Sequence, residues 1–358
     1  MKRFSRRTTG TVGIIAVLAV VAGAILAGSA GASKSANIQV CVLLPDTKSS
    51  VRWVQFDAPD FAKALKKAGV TYSITNALND PQKMVAQADS CLSRHAKVAV
   101  VTDIAQGTSI AIEKKFAKAG GSSIDYDRQV VGGVAKVYVT FDGKAVGAAQ
   151  AKGVINAMKA NGTYKGGTIA QLWGGQTDQN AYWFQSGNLA VFNPLFRLHV
   201  LKRGPQQFVP DWDANNAATI FNQMLVKTSN HIQGVLAAND NIAGAVVADL
   251  KAKGLKPLPL SGQDASVQGV QNIISGWQTG TVYKYVPAEA KAAADAAVAL
   301  LKGKKPKTNG TRPNGKHPEP TYALPVIWIT KHNYKRLFTD GFLKRSDVCV
   351  GAYRQYCK

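Results

Sequence analysis

From Asn37 onward the chain alternates between short unbroken apolar runs and longer stretches in which apolar positions recur every three or four residues. The first pattern reads as buried strand, the second as amphipathic helix. Strands are expected over residues 38–44, 70–74, 98–102, 124–126, 136–141, 168–173, 197–202, 235–238, 259–261, 282–285 and 322–329. A first helix is expected through Phe56, Phe61 and Leu65 to Gly69, starting late or bending at Pro59. A second follows Asp80-Pro81, with Met84, Ala88 and Cys91 on one face. Asp80 supplies a cap acceptor there, and Pro81 sits where no donor is needed. Further helices are expected over 109–119, 144–159, 180–192, 214–226, 242–253, 267–274 and 288–301. Strands this apolar, alternating with helices, predict parallel sheets covered on both faces, and hence an α/β fold. The series restarts near residue 144, so two doubly wound lobes are expected. A length of 358 residues, 46% of them hydrophobic, agrees with two domains and a sizeable core.

Open α/β sheets bind ligands beyond the carboxyl ends of their strands. At those positions stand Arg52-Trp53, Asp127-Arg128, Asp142, Asp178-Gln179-Asn180, Trp212 between Asp211 and Asp213, Asn239-Asp240, Gln263-Asp264 and Lys284. Indole faces pack against sugar C–H faces, while carboxylates, amides and cations satisfy hydroxyls. Taken singly, each residue has an ordinary structural role. Trp53 and Trp212 fit a core as well as a ligand, Asp178 and Asp213 read as helix caps, Asp240 reads as the N-cap of the helix starting at Ile242, and Asp142 reads as a hinge or cap. Their recurrence at one topological place is what points to a carbohydrate pocket.

The ordered motifs VLLPDTKSSVRW, IDYDR, VTFDG, GGQTDQNA, PDW, AANDNIAG, SGQDA and TVYK resemble bacterial substrate-binding proteins of sugar ABC transporters, the D-xylose-binding members above all. The resemblance runs from about Ile38 to about Arg345. It implies a type I periplasmic binding protein-like fold, with two lobes joined by a three-crossover hinge near Asp142, Lys284 and residues 322–325. Residues 37–141 with 285–322 would form one lobe, 142–284 with 323–345 the other, and 346–358 a tail. Carried over residue by residue, it implies sugar contacts from Arg52, Trp53, Asp127 and Arg128, from Asn180, Trp212, Asn239 and Asp264, and from Lys284. It also implies a monosaccharide ligand (D-xylose or a relative), hinge closure, an ABC permease and its ATPase as partners, a monomer, no cofactor and no catalysis. Gln179 departs from the family's DNNA-like motif, which bears on fine specificity.

Residues 1–32 combine a basic start, an apolar stretch and a small-residue exit, the pattern of a cleaved signal peptide. Ser29 stands where lipid-anchored relatives carry a cysteine, so an exported chain without that anchor is expected. Formal charge is +23, from 44 Lys and Arg against 21 Asp and Glu. In an exported chain this reads as a solvated surface facing an anionic envelope. The basic 302–316 loop lacks the aromatics of a strand-binding groove, and no nucleic-acid partner is expected. Export also favours disulfides among Cys41, Cys91, Cys349 and Cys357, expected as Cys41–Cys91 and Cys349–Cys357. No CxxC is present and the five histidines are scattered, against a zinc site.

Three other functions share parts of this pattern. A glycosidase could use Asp127 and Asp264, but Arg128 and Lys284 would keep both ionised. A sugar-responsive transcription factor would need an N-terminal helix-turn-helix where the leader stands. A sensor that presents its ligand to a signalling receptor would have the same pocket and differ only in its docking partner.

Overall fold

The structure, a computed structural model, describes residues 37–357; the expected leader lies outside them. The first series is β1 (Val40–Leu44), α1 (Ala58–Lys67), β2 (Tyr72–Asn76), α2 (Pro81–Ser93), β3 (Val98–Val101), α3 (Gln106–Lys118), β4 (Ser122–Tyr126) and β5 (Tyr138–Phe141). The second is α4 (Gly143–Ala160), β6 (Gly167–Trp173), α5 (Gln179–Arg197), β7 (Leu201–Phe208), α6 (Ala214–Lys227), β8 (Gly234–Ala237), α7 (Asp240–Ala252), α8 (Val267–Ile274) and β9 (Gly280–Tyr283). Then α9 (Val286–Leu301), β10 (Gly310–Asn314) and β11 (His317–Leu324) return to the first sheet, and β12 (Ile327–Thr330) pairs with β9.

The first sheet runs β10-β11-β5-β4-β3-β1-β2, parallel except for the β10–β11 hairpin. The two-residue period of β1 sends Val40, Val42 and Leu44 toward α1 and α9, and Cys41 and Leu43 toward α2 and α3. In the second sheet β6 lies between β7 and β8, all parallel. Bridges from Val235 to Leu260 and from Gln263 to Val282 continue that layer to β9 and β12. Helices α4 and α5 cross closely because Gly147 and Gly187 have no side chain; a Cβ on Gly147 would meet the Phe184 carbonyl at 1.9 Å. The chain passes between the sheets at Phe141–Asp142, after Tyr283, and between Leu324 and Ile327.

Several boundaries differ from expectation. The segment 322–329 is not one strand. Pro325, unable to donate to a ladder, stands between β11 and β12, which belong to different sheets. The expected strand 197–202 begins only at Leu201, because α5 continues through Pro194 to Arg197. The strand expected over 70–74 lies at Tyr72–Asn76. The first helix does not start late: a π-turn over Trp53–Asp57 runs directly into α1, and Pro59 falls in the first turn of α1. A third of the basic 302–316 loop is strand β10, turning at Asn314-Gly315 with Gly315 at φ +59°.

Cys41 is bonded to Cys91, tying β1 to α2, and Cys349 is bonded to Cys357. The tail that carries the second bond packs on α8: Gln271 donates to the Val348 carbonyl at 3.2 Å, and Val348 and Cys357 join a cluster with Val270, Ile274 and Tyr283.

Candidate functional site

Nine strand-end residues named from the sequence, Arg52, Trp53, Asp127, Arg128, Asn180, Trp212, Asn239, Asp264 and Lys284, line one cavity of about 280 Å³ between the two sheets. Ser49, Ser50, Asp178, Phe184 and Gln263 complete its wall.

Arg52 anchors the side built on the first sheet. Its Nε and one terminal nitrogen donate to Asp57 at 2.9 and 2.7 Å, the same nitrogen reaches Glu289 at 2.6 Å, and the other terminal nitrogen reaches Asp127 at 2.6 Å. Only 2% of Arg52 is exposed. Burial alone would lower its basicity, but Asp127, Asp57 and Glu289 hold the guanidinium well above its ordinary value. Burial pushes Asp127 up, and Arg52, Lys284 and Arg128 outweigh it, holding that carboxyl at about 2. Burial wins at Glu289, where Asp127 and Asp57 add to it against Arg52, so its carboxyl lies well above the usual range. Arg128 donates to Asp178 at 3.0 Å and to the Ser49 hydroxyl at 2.8 Å. Trp53 lies beneath both guanidinium groups, at 4.6 and 5.3 Å, and donates from Nε1 to Ser49 at 3.1 Å.

The side built on the second sheet is assembled from helix starts. Asp178 caps α5 through the Asn180 N–H, and Asp213 caps α6. Asn239, not Asp240, caps α7, accepting from the Ile242 N–H at 2.9 Å; its amide also donates to the Ser49 carbonyl across the cavity. Asp240 is the first helical residue. Its buried carboxylate accepts from the Ser266 N–H and from Gln278, and burial raises it to about 7. The Trp212 ring lies on Gly174, where a Cβ would come within 2.1 Å of it. Lys284 reaches Asp127 at 3.4 Å and Asp264 at 3.3 Å, and Ser50 donates to Asp264 at 2.8 Å. Asn180 donates to the Asp127 carbonyl at 2.8 Å. Asp142, outside the cavity, caps α4.

Asp127, Trp212 and Asp264 all have positive φ, at 56°, 56° and 92°. Such conformations cost on the order of 1–3 kcal/mol each and collect at functional sites. Among the described residues no group of His, Cys, Asp or Glu is arranged to hold a metal ion.

Ser49 and Ser50 follow β1 in the same stretch as Arg52, so the strand-end rule extends to them. Glu289 lies 237 residues from the arginine it supports, and no local pattern points to it.

Two sheets meeting over a polar cavity at their strand ends define a bilobal binding architecture. Residues 40–305 match the periplasmic binding protein domain, and the chain belongs to that family. It is 30% identical over 299 residues to the D-xylose-binding periplasmic protein of Escherichia coli K12, covering 83% of this chain and 88% of that one. It is 29% identical to the multiple sugar-binding periplasmic receptor ChvE of Rhizobium radiobacter, covering 84% and 89%. The carbohydrate transporter solute binding protein of Chloroflexus aurantiacus, solved with D-glucose, superposes with a TM-score of 0.80 at 27% identity, over 87% of this chain and 98% of that one.

Proposed function

We propose that this chain is an exported solute-binding protein that captures one monosaccharide, D-xylose or a close relative, by hinge closure and hands it to an ABC import permease. The observation that carries the reading is the cavity itself. Two indoles, three cations (Arg52, Arg128, Lys284) and three carboxylates (Asp127, Asp178, Asp264) line it. Equal numbers of opposite charges favour a neutral ligand, and donors beside acceptors suit hydroxyl groups.

In this reading 37–141 with 285–322 move as one body and 142–284 with 323–345 as the other. Contacts such as Ser50 to Asp264 and Asn239 to Ser49 form when the two close. Ligand shifts the open–closed balance because only the closed form lets both bodies bond the same hydroxyls. Asp127, held at about 2 between cations, is unsuited to protonating a leaving group, which speaks against glycoside cleavage.

The test is a thermal-shift and calorimetric screen of monosaccharides. D-xylose or a related sugar at a hundred times its Kd is expected to add about 2.7 kcal/mol of stability. Trp212→Ala and Asp264→Ala are expected to abolish binding while the fold persists; unchanged affinity in both overturns the site, and consumption of the sugar overturns the transport reading.

A further inference from the structure

Behind the cavity, one aromatic ring from the end of the chain touches two segments that supply cavity residues. After β12 the chain forms a short helix, α10 (Arg336–Thr339). Gly341, at φ +67°, ends it: its N–H donates to the Phe338 carbonyl at 3.1 Å, and the Phe342 N–H donates to the Leu337 carbonyl at 2.9 Å. This left-handed cap fixes the backbone from which Phe342 projects. The Phe342 ring, 6% exposed, stacks on Phe56 with centroids 4.3 Å apart and planes at 18°. It also tilts against Tyr283 at 4.9 Å. Phe56 belongs to the same π-turn as Trp53, and that turn directly follows Arg52. Tyr283 directly precedes Lys284. Phe342 itself lies outside the cavity wall. Leu343, Val348 and Cys357 fill the same apolar cluster, where the Cys349–Cys357 bond closes the tail on itself and Arg345 donates to the Cys357 carbonyl at 3.0 Å.

We propose that Phe342 is a positioning residue for sugar binding, and that the disulfide-closed tail is the brace that keeps it in place. The proposal rests on the two-body reading above, in which Phe56 belongs to 37–141 and Phe342 to 323–345, so that their stack joins the two bodies. Two flat rings stack at one relative placement, here the one in which Ser50 bonds Asp264 and Asn239 bonds Ser49. The stack therefore favours the closed arrangement before any sugar arrives, and leaves the sugar less of the balance to shift. It also backs Arg52, Trp53 and Lys284 at once, holding these cavity-facing groups in register. Aromatic pairs of this kind are worth up to about tenfold in an equilibrium constant beyond the area they bury.

The test measures affinity by calorimetry and release by stopped-flow tryptophan fluorescence, on the full chain with D-xylose and the other monosaccharides of the screen. Phe342→Ala and Phe56→Ala, the second at a half-buried position, should each weaken binding about tenfold, chiefly through faster release. The two together should cost no more than either alone, because they remove one contact. Phe56→Tyr, which keeps the ring, should restore affinity. Cys349→Ser combined with Cys357→Ser should weaken binding in the same direction by a smaller factor. Phe338→Ala, whose ring pairs with Tyr334 of the same body at 5.7 Å, should lower the melting temperature and leave affinity alone. Should Phe342→Ala fail to fold, Phe56→Ala decides. Unchanged affinity in the ring variants, or an equal loss in Phe338→Ala, overturns the positioning role and leaves the monosaccharide reading standing; unchanged affinity in the cysteine pair overturns the tail's part. If the unmodified chain binds none of the sugars, the monosaccharide reading falls, and small-angle scattering of the ligand-free chain decides the stack. A larger radius of gyration in Phe56→Ala then supports it, and an identical one overturns it.

Discussion

The two walls of the cavity are built by different means. On the first-sheet side the cavity-facing groups are held by charge: Arg52 is gripped by Asp57, Glu289 and Asp127, and Arg128 by Asp178 and Ser49. On the second-sheet side the backbone holds more of them: Asn239 caps a helix, Asn180 sits in the first turn of α5 and Trp212 rests on a glycine, while Asp264 pairs with Lys284. A wall made of ion pairs is rigid but fails when one charge is removed, because its partners are left buried. A wall made of caps and packing loses shape more gradually. The contrast teaches that one binding surface can combine two independent forms of preorganisation.

The sharpest break is Arg52→Ala, which would leave Asp57 and Glu289 buried without their cation, Asp127 keeping only Lys284. Chemical denaturation is expected to show a loss of about 3–5 kcal/mol. Asp264→Ala, on the other wall, should cost far less stability, and equal losses would erase the distinction.

Next in size is Gly174→Ala, which pushes the Trp212 ring from its seat. Affinity measured by calorimetry should fall about 100-fold, or ~2.7 kcal/mol, with unfolding little changed. Loss of stability without loss of affinity would show that the indole does not need that seat.

A smaller effect concerns the outer edge of the first sheet. Glu319 accepts from Gln129 and Asn314 and faces Glu113 and Asp125, and burial raises it to about 7. Its folded value lies above the ordinary one near 4.3, so its contribution is complete below that pH and is lost as pH rises through 7. Melting should therefore weaken between pH 5 and 8. Glu319→Gln, which mimics the protonated acid, should gain roughly 1 kcal/mol at pH 8 and nothing at pH 4. An identical shift at both pH values would refute this.

Smallest is the acid limb of binding. Asp127 is depressed to about 2, so what its charge contributes is present above the ordinary value near 3.9 and lost only as pH falls through 2. Affinity should be nearly flat from pH 8 to 5; a decline centred near pH 6 would place the controlling group elsewhere.

Much of this was legible in the chain. The apolar run of β1 announced a strand buried on both faces, and the strand-end rule collected residues as distant as Arg52 and Lys284 at one cavity. What stayed hidden has physical reasons. Cap and ligand roles demand the same side chains, so the cap expected at Asp240 falls to Asn239, which lines the cavity as well. Positive φ at Trp212 is imposed by tertiary packing against propensity. Glu289 meets Arg52 only after α9 returns to the first sheet, and the break at Pro325 separates two strands that composition joins.

Because the backbone travels between the sheets three times, no cut at one crossing severs every covalent link between the two halves. A protease that clips the link between β11 and β12 leaves two covalent tethers intact, so a nicked chain stays one particle and its halves remain within reach of each other.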